Sequence, residues 1–276
     1  MRQNETHTLA GHSDCDSHSC HASTIGTFGS IILHIPHSGT TFLNERAGYA
    51  DTLLWNARDV IDWFTDELFT PTSGDGRILP VVFPYCRTEC DVERLIDDPL
   101  EDRNLGICCD SDRQKESHGF FRIDDTTLSH SDHDDYRLYL EHHQKMEILL
   151  LNHENPLLID CHSFSSYPTV INPDYDATNQ YDICIGYNAD RTKPDDTVIR
   201  TIMDHFESYR YRVGVNCPYS NSKTFNVPTA YKSIMIEVNK RCYMDENTYS
   251  RGTDMPALHD CIGKLYPKLM SHPRES

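Results

Sequence analysis

Residues 156–164 read PLLIDCHSF, an apolar run that gives way to an aspartate and then a histidine. Residues 30–37, SIILHIPH, have the same pattern, and His37 stands there as His162 stands in the later stretch. Short apolar runs rich in Ile and Leu, bounded by turn-forming residues, are strands from the interior of a sheet. Each run delivers its histidine at a C-terminal end, the edge where open α/β sheets gather their ligands.

Further runs extend the pattern. Strands are expected over 77–85 (RILPVVFPY), 181–187 (YDICIGY) and 233–238 (SIMIEV), with a strand and loop over 211–222. Helices are expected over 59–68, where Val60, Ile61, Phe64 and Leu68 share a face, and over 134–153 and 197–209. Strands that alternate with helices imply a mainly parallel sheet covered on both faces, an α/β fold. Residues 97–132 are polar and too long for an ordinary connection, so they are expected to form a lid or pocket-lining loop. Residues 1–25 read as a polar, poorly ordered tail, which leaves 26–276 as one domain. Within that tail His12, Cys15, His18, Cys20 and His21 could bind a metal adventitiously.

The formal net charge of −18, from 43 acidic and 25 basic residues, repels phosphate backbones and anionic membrane surfaces. Neither nucleic acid nor membrane is an expected partner, whereas a small anionic substrate is compatible with a few local arginines. No apolar run approaches the roughly 20 residues that span a bilayer. The 11 cysteines are odd in number and lack the spacing of a disulfide framework. With no signal sequence at the N-terminus, they point to a reduced, cytoplasmic setting. Oligomeric state is not legible.

Two histidines on one sheet edge, with acids near each, suit a metal centre. Catalytic zinc takes three protein ligands, leaves a fourth position open, and works beside a carboxylate that can accept a proton. Asp62 and Asp66 lie four apart on the expected 59–68 helix and so share a face, with Asp62 nearer the sheet edge. Acids in early helical turns are also favourable without any metal. Glu237 is a carboxylate inside an apolar strand, which is costly unless something pairs with it or uses it. It pairs with Lys240 or Arg241, reaches water at the strand end, or takes part in chemistry.

HIPHSGTTF (34–42), DWFTDELF (62–69), FPYCRTECDVERLIDDPLE (83–101), LLIDCHSF (157–164), YDICIG (181–186), VNCPYS (215–220) and SIMIEVNKRCYMDE (233–246) follow one another in this order. The ordered set resembles the motifs of the N-formylglutamate amidohydrolase family, over about Ile31 to Glu246. The resemblance implies a three-layer α/β/α fold similar to that of zinc carboxypeptidases and zinc N-acetylmuramoyl-L-alanine amidases. It also implies hydrolysis of N-formyl-L-glutamate to formate and L-glutamate, a step in histidine breakdown. His37 and His162 are implied as metal ligands, Asp62 as the carboxylate ligand, and Glu237 as general base and then acid.

Arg94 is implied as the partner of a substrate carboxylate, Asn216 as a holder of a carboxylate or the formyl oxygen, and His143 as an oxyanion-polarising or supporting group. A second substrate carboxylate wants a second cation, for which Arg241, Arg87 and Arg122 are candidates. Residue 93 is Glu where many members have Asn. Read on their own chemistry, Arg94 could bridge to Asp91 or Asp98, Asn216 could be a turn residue before Pro218, and His143 could be a helix-face residue. Cys161 reads as a small buried hydrophobe. Zinc is the expected ion, and manganese, iron or cobalt would fit the same donors. The rival expectations are a zinc peptidase or peptidoglycan-type amidase acting on a peptide-like substrate, and a non-catalytic metal- or ligand-binding domain.

Overall fold

The structure, a computed structural model, describes residues 28–43, 50–72, 74–94, 132–169 and 181–270. The expected tail, most of the expected 97–132 loop, and Arg122 lie outside the described residues. In chain order the elements are β1 (Ser30–Ile35), α1 (Ala50–Ala57), α2 (Thr65–Phe69), β2 (Ile78–Val82), α3 (Asp132–Asn152) and β3 (Pro156–Phe164). Then follow β4 (Ile183–Gly186), α4 (Asp196–Ser208), β5 (Val213–Val215), β6 (Lys232–Asn239), β7 (Met244–Asp245), β8 (Ser250–Arg251) and α5 (Met255–Leu269).

Six strands form one mixed sheet in the order β2-β1-β3-β6-β4-β5. The β2, β1, β3 and β6 strands run parallel, and β4 pairs antiparallel with β6 and parallel with β5. The alternation of side chains along each strand divides the core between two faces. Ile31, Leu33, Ile35, Leu157, Ile159, Cys161, Ile234, Ile236 and Val238 pack with α2, α4 and α5 on one face. Ile32 and Leu158 pack on the other, against Met146 and Leu150 of α3. On that second face the apolar pattern stops part-way along the strands. Past Ile32 comes His34, and past Leu158 come Asp160 and His162, all buried.

The structure departs from the expected elements in three places. The 59–68 stretch is not one helix, because α1 ends at Ala57 and α2 begins at Thr65. Phe64, between them, has φ 63, a left-handed backbone that interrupts a helix. The Asp62 amide donates to the His37 carbonyl at 3.0 Å instead of to a preceding turn, so Asp62 and Asp66 share no helical face. His162 is inside β3, which continues two residues beyond it to Phe164. The last helix, α5, is absent from the expected elements: Pro256 and Pro267 mask its pattern, although Pro256 falls in the first turn, where a missing N–H costs nothing.

Candidate metal centre and active site

The loop after β1 carries His37 and is pinned to the segment after β2. Thr41 donates from its amide to the Pro84 carbonyl at 3.1 Å, and Phe83 donates to Ile35 at 3.0 Å. Gly39 fits there because a Cβ would stand 2.4 Å from the Tyr85 carbonyl oxygen. The pinned loop holds the buried His37 ring next to His162, with ring centroids 5.0 Å apart.

The nitrogens of these two rings divide the same way. His37 donates from Nε2 to Asp91 Oδ1 at 2.8 Å, and His162 directs Nε2 to Asp160 Oδ1 at 3.0 Å. Each ring then turns Nδ1 toward Asp62 Oδ2, at 3.6 Å from His37 and 3.3 Å from His162. Donor atoms bound tetrahedrally to one ion at ~2.0–2.2 Å stand about 3.3–3.6 Å from one another. His37 Nδ1 is buried and has no hydrogen-bond partner, as a nitrogen meant for an ion would be. The donor set of two imidazoles and one carboxylate therefore fits a divalent cation, and zinc suits its chemistry.

Electrostatics point the same way. Burial opposes a charge on Asp62, but the neighbouring His162 and His37 rings hold its carboxyl far below the usual range. Burial likewise opposes a charge on Asp91, and it is overcome by Arg87 and His37. Arg87 is committed to this task, donating to Asp91 Oδ2 at 2.9 Å and to the Val60 carbonyl at 3.3 Å.

Glu237 sits beside His162 because β3 and β6 pair these two residues in parallel register, which places both side chains on one face. Its Oε2 is buried and has no hydrogen-bond partner. Burial pushes its carboxyl up to about 8, despite the opposing pull of His162. Neither expected structural partner reaches it. Lys240 donates to the Asp59 carbonyl at 3.2 Å, and Arg241 pairs with Asp182 at 2.7 Å.

Arg94 lies in the same neighbourhood. Its Nε is buried without a hydrogen-bond partner and lies 3.6 Å from Asp91 Oδ2. Three other expected site residues are engaged elsewhere. Arg241 is held by its ion pair with Asp182. Asn216, with φ 50, accepts at Oδ1 from the Tyr187 amide at 3.0 Å. Among the described residues no hydrogen bond joins it to the histidine–carboxylate group. His143 donates to the Val92 carbonyl at 2.9 Å and stacks on Tyr139, so it braces the 91–94 turn. Burial lowers its pKa to about 4. Cys161 is buried on the opposite face of the sheet from His162.

The sequence profile of the N-formylglutamate amidohydrolase family (FGase) matches residues 29–244, which span every element that carries this group. The chain belongs to the N-formylglutamate amidohydrolase family. Its fold is similar to the crystal structure of N-formylglutamate amidohydrolase from Ralstonia eutropha JMP134, with a TM-score of 0.58 at 15% identity over 88% of this chain and 94% of that one. A gene product of Agrobacterium tumefaciens aligns with a TM-score of 0.47 at 16% identity, over 87% of this chain and 91% of that one. No curated protein matches.

In this member of the N-formylglutamate amidohydrolase family, sequence reasoning missed the residues behind the histidines. His34 directs Nδ1 to Asp160 Oδ1 at 2.9 Å, and its Nε2 lies 2.9 Å from Nε2 of His142 in α3. Lys223 donates from its amide to Asp160 Oδ2 at 2.8 Å, and from Nζ to the Glu93 carbonyl at 2.7 Å. The signal for them was available: His34 and Asp160 are polar interruptions of apolar strands, on the same face as His162.

Proposed function

We propose that the chain hydrolyses the amide bond of an N-acyl acidic amino acid, with N-formyl-L-glutamate giving formate and L-glutamate. The reading is carried by Glu237, whose buried, unpartnered oxygen is in register with His162 of the three-donor set. His37, Asp62 and His162 would hold a divalent ion, zinc by donor chemistry. When bound, the ion supplies Lewis acidity, which acidifies water and polarises a carbonyl.

The chain's own groups account for the rest. Asp91 and Asp160 fix both histidines with Nδ1 toward Asp62, so no rearrangement is needed for the donors to converge. Glu237 accepts one proton from the attacking water as the C–O bond forms at the formyl carbon. It then delivers that proton to the amide nitrogen as the C–N bond breaks, which leaves formate and an amine. A nearby cation favours the carboxylate form of Glu237 and so prepares it to act as a base at neutral pH. Arg94 would take a substrate carboxylate through its guanidinium fork, the geometry that a point charge cannot match.

The test is formate release by the full chain supplied with zinc, on N-formyl-L-glutamate, N-formyl-L-leucine, N-acetyl-L-glutamate and an unblocked dipeptide. The expected result is the highest kcat/KM for N-formyl-L-glutamate. Cleavage of the dipeptide in preference to both N-acylglutamates, with zinc bound, would replace this reading with a peptidase.

A further inference from the structure

Behind the three-donor set lies a second convergence of donors that the proposed reaction does not use. His34 Nδ1 is 2.9 Å from Asp160 Oδ1 and 3.3 Å from Glu93 Oε1. His162 Nε2 is 3.0 Å from the same Asp160 oxygen and 3.7 Å from the same Glu93 oxygen. Two nitrogens and two oxygens thus alternate around one point. The ligand atoms of His34, Glu93 and Asp160 all lie within 4.8 Å of one another, close enough to share one ion.

We propose that His34, Glu93 and Asp160 form a second divalent-cation site in this chain. Three further observations carry it. Glu93 Oε1 is buried without a hydrogen-bond partner, although it lies between two imidazole nitrogens. Two carboxylates converge where the neighbouring Lys223 spends its Nζ on the carbonyls of Glu93 and Arg94 and not on either carboxylate. Like charges brought together in a buried place need a cation among them. Finally, His34 has its second nitrogen at His142 Nε2. A hydrogen donated there leaves the Nδ1 lone pair to face the carboxylates.

The site ties β1, β3 and the 91–94 turn to one point, and Arg94 follows Glu93 directly in that turn. An ion there would fix where Arg94 presents its guanidinium. One imidazole and two carboxylates suit zinc, cobalt or manganese.

The experiment is calorimetric titration of the metal-stripped full chain with Zn2+, run in parallel on Glu93→Gln, His34→Gln and Asp62→Asn. The proposal predicts that Glu93→Gln and His34→Gln each bind one equivalent fewer than the parent. Asp62→Asn should lose a different equivalent, and the double variant Asp62→Asn/Glu93→Gln should lose two. Ions taken up by residues 12–21 are common to all the chains and cancel in the difference. The first-site equivalent retained by Glu93→Gln reports that this variant is folded. Stoichiometry unchanged by Glu93→Gln and by His34→Gln, with Asp62→Asn still losing one, would overturn the second site and leave the first intact.

Discussion

In the parallel half of the sheet, β1, β3 and β6 run up to buried polar atoms that lack partners: His37 Nδ1, Glu237 Oε2, Glu93 Oε1 and Arg94 Nε. In the half made by β4 and β5, the polar groups at the strand ends are matched. Arg241 meets Asp182, Asn216 meets the Tyr187 amide, and the Cys184 thiol donates to the Tyr219 carbonyl. An unmatched buried polar atom costs about 1–3 kcal/mol, so a fold sheds such atoms wherever nothing uses them. The contrast separates the part of the sheet that holds chemistry from the part that only completes the layer.

The largest effect should come from Asp62→Asn. It removes the carboxylate charge that both Nδ1 atoms face and should bring formate release down to the level of the metal-stripped chain, with one equivalent of zinc missing by elemental analysis. Asp91→Asn comes next, because it leaves all three donors in place but loosens the His37 ring. Loss of such an orienting partner lowers zinc affinity roughly 10- to 100-fold, readable by competition with a chromogenic chelator. Asp182→Asn, the matched counterpart in the other half, should leave zinc affinity unchanged.

Arg94→Ala should raise KM for N-formyl-L-glutamate on the order of tenfold to a hundredfold, the worth of a hydrogen bond to a charged group, with kcat changed much less. Its effect should shrink for an N-formyl amino-acid amide, which lacks the α-carboxylate. A smaller effect concerns stability. In the folded, metal-free chain burial raises the Glu237 carboxyl to about 8, above its unfolded value, so the fold keeps a proton that the unfolded chain releases. That contribution is fully present below the unfolded pKa and is lost as the pH rises through the folded one. Glu237→Gln cannot titrate. It should raise Tm of the metal-free chain by a few degrees more near pH 9 than near pH 5. The smallest effects are expected for Arg241→Ala and Asn216→Ala in the matched half, each within about 1 kcal/mol of stability.

Much of this contrast was legible before any coordinates. The apolar runs ending in His37 and His162 place both histidines at one edge, and Glu237 stands out because a carboxylate interrupts SIMIEV. The position of Asp62 was legible, but not its setting. A 3.6-residue period suggests a helix, whereas the backbone is turned aside by a hydrogen bond to His37, a long-range contact that no local pattern encodes. Arg241 and Asn216 have partners that were hidden for a related reason. Their position along the chain is close to the chemistry, but β4 runs antiparallel to β6 and supplies Asp182 and Tyr187 as nearer partners. His34 and His142 could not be joined from sequence, since 108 residues separate them and only the packing of α3 on the sheet brings them together.

The most direct measurement is kcat for formate release by Glu237→Gln, with zinc content determined on the same sample. If the unpartnered carboxylate carries the proton, kcat falls by roughly 10²–10⁴ while zinc stays at the parent level. A Glu237→Gln chain that retains zinc and turns over within a few-fold of the parent would contradict the assignment.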